Sequence, residues 1–100
     1  MPQMKKTDQI LFAVYSVTSG GERCGFERLI KECFTLFPET FGFSKYPQWP
    51  DSLKLDRHLR TLRKRKLISG EPGTSFSLTK SGRLIALETS RTFRQRKLFK

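Results

Sequence analysis

The sequence predicts a mainly α-helical domain with one small β-hairpin, in the order helix, helix, helix, strand, turn, strand, helix. Three observations lead there. Apolar residues recur at three- and four-residue steps in three separate stretches between Thr7 and Lys66. Two short segments, 67–69 and 75–78, flank a turn that holds Gly70, Pro72 and Gly73. A last helical stretch follows Thr79, a residue type suited to capping it.

In the first helix, residues 7–17, Ile10, Leu11, Val14, Tyr15 and Val17 enclose Phe12 and Ala13, so most of its surface should be buried. Thr7 or Asp8 is the expected N-cap. Gly20 and Gly21 supply the stop, since glycine enters the left-handed C-terminal conformation without a Cβ clash. The second helix, residues 26–37, carries Phe26, Leu29, Ile30, Cys33, Phe34 and Phe37 and ends at Pro38. Residues 38–50 combine three prolines with Gly42, Phe41, Phe43, Tyr46 and Trp49, the composition of an ordered aromatic loop. Such rings can stack on single-stranded bases, but pinning the loop onto the core accounts for them more economically.

Asp51 or Ser52 caps the third helix, residues 52–66, whose Leu55, Leu59 and Leu62 fall within roughly 60° of one another on the helical wheel. Arg57, Arg60, Thr61 and Lys64 point the opposite way, with Lys54 on the flank and Arg63 and Arg65 on the shoulders. The hairpin follows. In the last helix Leu84, Ile85, Leu87 and Phe93 are apolar, and residues 89–100 form a basic helix end or tail that includes Arg91, Arg94, Arg96 and Lys97.

One hundred residues, 36% of them hydrophobic, suffice for a single domain over 1–100 with its own core. The net charge of +11 is unevenly placed: residues 1–50 hold six Lys/Arg and five Asp/Glu, residues 51–100 fourteen and four. So lopsided a field favours a polyanion, nucleic acid ahead of an anionic membrane surface or an acidic protein. The apolar run at residues 10–15 is too short for a membrane span or a secretory core, so an intracellular, soluble protein is expected. Cys24 and Cys33, with His58 as their one imidazole partner, are too few for a zinc site and read as two reduced, partly buried thiols, with an isolated disulfide as the lesser alternative. No metal or cofactor is expected.

The segments LRTLRKRKLISG and SFSLTKSGRLIALE carry a resemblance to the winged helix-turn-helix superfamily, with prokaryotic PadR-like and MarR-like regulators nearest. The resemblance implies that Leu59 and Leu62 seat a recognition helix and that Leu67 and Ile68 begin a wing. Leu78, Thr79 and Gly82 close that wing and start the following helix. Two departures stand out: Lys66 occupies a position where many such proteins have glycine, and the aromatic loop replaces a tight turn between the second and third helices.

A helix lying in a major groove needs long donors, because phosphates and guanine edges are acceptors. Lys54, Arg57, Arg60, Thr61, Arg63 and Lys64 are therefore the candidate contacts on the third helix, with Lys80 and Arg83 holding flanking phosphates. The turn, with Glu71 and no cation, makes a weak minor-groove reader. With one histidine and few acids in the chain's second half, catalysis lacks its usual parts, and no enzyme is expected. The expected function is double-stranded DNA binding, sequence-specific or general, by a transcriptional regulator that forms a homodimer through Leu84 and Leu87. The alternative is an accessory or protein-interaction subunit of a nucleoprotein assembly, in contact with RNA.

Overall fold

A computed structural model describes residues 4–71 and 73–98. Pro72 of the expected turn and the last two residues of the expected tail lie outside them, as do the side chains of Arg96 and Lys97. The described residues form a mainly helical structure with a two-stranded antiparallel sheet. The elements are α1 (Lys6–Ser19), α2 (Phe26–Leu36), α3 (Pro38–Phe41), α4 (Ser52–Lys64), β1 (Ile68–Ser69), β2 (Ser77–Leu78) and α5 (Lys80–Leu98).

Helix α1 is central and packs against α2, α4, α5 and β2. Its wide apolar face requires this position: Ile10, Leu11, Ala13, Val14 and Val17 are all buried. The expected cap is not the observed one. The helix starts at Lys6, with Lys5 as N-cap making no side-chain cap bond, so Thr7 and Asp8 fall inside the first turn. There the Asp8 carboxylate still faces the positive end of the helix dipole. The stop is as expected, with Gly21 left-handed at φ +84° and Glu22 N–H donating back to the Val17 carbonyl.

Helix α2 ends at Leu36, and Pro38 opens the one-turn α3 where a loop was expected. Proline suits that first position, where its fixed φ is already helical and its missing N–H has no intrahelical partner to lose. Phe37 then meets Phe12 and Phe93 at ring-centroid distances of 6.2 and 5.5 Å, tying the end of α2 to α1 and α5.

Asp51 caps α4 by accepting the Lys54 N–H at 3.2 Å. The helix stops at Lys64, two residues short of expectation, because Lys66 turns left-handed at φ 59°. Lys66 N–H then donates to the Arg63 carbonyl and Leu67 N–H to that of Leu62, each at 3.0 Å. This is the Schellman closure that glycine normally supplies, with Leu62 and Leu67 both buried across it.

The strands pair Ile68 with Leu78 and Ser69 with Ser77, and each is shorter than expected. On the turn side Phe76 N–H is diverted to the Cys24 carbonyl at 2.8 Å, while at the open end Thr79 N–H donates to the Leu67 carbonyl at 3.1 Å and carries the same register one pair past the strands. Thr79 also fastens the next junction. Its hydroxyl donates to the Lys66 carbonyl at 2.8 Å and accepts the Gly82 N–H at 3.1 Å, which caps α5. A Cβ on Gly82 would overlap the Leu67 carbonyl oxygen, so α5 reaches the hairpin only because that residue is glycine.

Candidate nucleic-acid interface

The hydrophobic pattern of α4 decides which of its side chains face out. Leu55, Leu59 and Leu62 are buried, which leaves Leu53, Arg57, Arg60, Thr61 and Lys64 exposed on the opposite side. At 1.5 Å per residue this ridge runs about 16 Å from Leu53 to Lys64. Arg65 and Lys66 continue it toward the hairpin, and both are exposed.

The candidates differ in how free they are. The side chains of Arg57 and Lys64 make no hydrogen bond or ion pair among the described residues, and neither do those of Lys80 and Arg83, both exposed in the first turns of α5. Arg60 pairs with Asp56 one turn earlier at 3.0 Å while its side chain stays largely in solvent. Exposed pairs of this kind hold weakly, so its guanidinium can exchange partners. The Thr61 hydroxyl is turned back onto the Arg57 carbonyl at 3.4 Å.

Two candidates are committed elsewhere. Lys54 is half-buried, and its ammonium donates to the Thr40 carbonyl at 3.0 Å, fastening the end of α3 to the start of α4. Arg63 donates to the Gly70 carbonyl at 3.3 Å, joining α4 to the start of the hairpin turn. Both bonds span segments far apart in sequence and left no trace in the helical wheel.

His58, between the exposed and buried sides of α4, is half-buried. Burial pushes its pKa below the usual imidazole value, and the cations Lys6, Arg57 and Lys54 push it further the same way. Lys6 thus belongs to the basic surface, although it comes from α1; the Lys5–Lys6 pair ahead of the first apolar turn was the available signal. Cys24 and Cys33 are free and buried, and burial raises both thiols, Cys24 to about 11.

The aromatic loop departs most from expectation. Only Phe41 is buried; Phe43, Tyr46 and Trp49 are 41, 54 and 55% exposed, so pinning to the core does not explain them. Among the described residues no group of three His, Cys, Asp or Glu side chains could hold a metal, and no helix is long and apolar enough to cross a membrane. Neither family models, nor curated proteins, nor solved structures give a match to this chain.

Proposed function

We propose that the chain binds double-stranded DNA as a winged helix-turn-helix protein, laying α4 in the major groove and acting as an intracellular transcriptional regulator. The observation that carries this reading is the row of Arg57, Arg60, Thr61 and Lys64, exposed along one side of α4 while the other side is held in the core. Their long donors match phosphate oxygens and guanine edges. Lys80 and Arg83 extend positive charge past the hairpin, where a wing would flank the groove. Supporting the fold half of the reading, Thr79 and Gly82 have structural duties at the positions the superfamily pattern marks. In a two-fold dimer the second copy would pair through the outer side of α5, where Leu84 is 64% exposed. Sedimentation should then show a concentration-dependent mass, and a constant monomer removes the dimer.

Salt-titrated binding to duplex DNA tests the proposal. Six to ten phosphate contacts imply a loss of about 10³ to 10⁵ in affinity between 50 and 200 mM salt. Arg57→Ala/Arg60→Ala/Lys64→Ala should lower affinity by about a hundredfold or more and flatten the slope by about three, with melting temperature nearly unchanged. Unchanged duplex affinity in that variant removes α4 as the contact element.

A further inference from the structure

The aromatic loop is held by its backbone, not by its rings. Asp51 N–H donates to the Phe41 carbonyl at 2.7 Å, Phe43 N–H to Trp49 at 2.9 Å, and Trp49 N–H to Tyr46 at 3.0 Å; Gly42 and Pro50 form a bridge. At Gly42 any Cβ would lie 2.7 Å from the Pro47 carbonyl oxygen and 2.9 Å from that of Pro38, so the crossing tolerates no side chain. The Lys54 bond to Thr40 fixes the end of α3, from which the loop departs, to the first turn of α4. The rings are thereby displayed with little left to order on binding. Tyr46 and Trp49 stack on each other, with centroids 5.3 Å apart and planes 26° from parallel.

Rings left in water forgo the stabilisation that burial gives, and a cluster of them marks a binding surface. Leu53, 74% exposed, adds a further apolar side chain in water at the start of the α4 ridge, one turn before Arg57. Between Gly42 and Pro50 Lys45 is the one charged residue, and it is exposed without a partner among the described residues. An exposed aromatic pair with a lysine next to it in the chain, in the segment that leads into a cationic ridge, suits a nucleobase and its phosphate better than an apolar protein segment.

We infer that the Tyr46–Trp49 stack is a platform for an unpaired nucleobase, so that the preferred ligand is nucleic acid in which a duplex on α4 opens into a single strand at the loop. The duplex half of this statement rests on the function proposed above, while the platform itself does not. Trp49 is the sole tryptophan, and its fluorescence reports stacking directly.

The test titrates the full chain with a blunt duplex, the same duplex with a short single-stranded overhang, that overhang with abasic sites, and a single strand alone. The overhang should bind tighter than the blunt duplex by about five- to a hundredfold and quench Trp49, and the abasic overhang should lose both effects. Tyr46→Ala/Trp49→Ala should equalise overhang and blunt duplex without changing blunt-duplex affinity or melting temperature, whereas Trp49→Phe should retain the preference. Equal binding of blunt and overhanging duplexes without quenching overturns the platform, leaves the duplex reading intact, and makes the patch a protein-docking surface. Quenching and tight binding by the single strand, with no blunt-duplex binding, support the platform and overturn the duplex reading. Absence of binding to every ligand overturns both.

Discussion

Helices α2 and α4 are both amphipathic and charged, yet their charges have different fates. On α2, Arg28 bridges Glu22 and Glu32 at 3.0 and 2.8 Å, and Ser16 of α1 donates to the same Glu32 at 2.7 Å. On α4, Arg60 has one exposed pair, while the side chains of Arg57 and Lys64 make no hydrogen bond or ion pair among the described residues. The Arg28 charge on α2 is tied to carboxylates of the fold, whereas Arg57 and Lys64 on α4 are exposed with no carboxylate bound to them among the described residues.

The largest effect is expected at the junction that orients α4 against the hairpin. Gly82→Ala puts a methyl group into the Leu67 carbonyl, a backbone atom that cannot rotate away. A loss of about 3 kcal/mol in denaturant unfolding is expected, with DNA affinity falling as well. A near-wild-type midpoint would mean that α5 can shift, and that the close approach is not required. Arg28→Ala ranks next, since it leaves the half-buried Glu32 carboxylate with the Ser16 hydroxyl but no counter-charge. Its melting temperature should fall by about 4–8 °C while duplex affinity stays within about twofold of wild type. A matching loss of affinity would erase the distinction between the two helices.

Lys66→Gly sharpens the same contrast. Relief of the left-handed backbone should raise stability by about 1 kcal/mol, and loss of one cation should lower the salt slope by about one. Stability and affinity then move in opposite directions in one variant. A stability loss instead would show that the Lys66 side chain contributes packing that outweighs its backbone strain.

The same contrast explains what could be read from the sequence. Helix positions, the Asp51 and Thr79 caps and the outward set Arg57, Arg60, Thr61 and Lys64 follow from period and local capping chemistry, which involve residues within a turn of one another. Lys54 and Arg63 escaped because their partners, Thr40 and Gly70, are fourteen and seven residues away and are backbone carbonyls that leave no compositional mark. The displayed rings escaped for a related reason: the loop is closed by carbonyls and amides across Phe41–Asp51 and Phe43–Trp49, so its order did not need its aromatic residues. Apolar composition predicts burial on average, and here it fails where the backbone alone provides the order.

His58 provides the smallest and most discriminating test, because stability and binding should respond to its proton with opposite signs. Desolvation, then Lys6, Arg57 and Lys54, hold its folded-state pKa below the ordinary 6.5. The unfolded chain therefore binds the proton more readily. Stability is complete above about pH 6.5 and declines as pH falls through that value toward the folded pKa. Phosphates beside the same three cations would offset their repulsion and favour the imidazolium, so duplex affinity should rise over that pH range, by about threefold or less. His58→Gln should flatten both curves, which thermal melts and binding isotherms at pH 5.5, 6.5 and 7.5 would show. If acid raises affinity equally in the variant, the proton is taken up elsewhere. If it weakens binding to the parent chain, phosphate does not approach this end of α4, and the ligand's path along the helix must begin beyond Arg57.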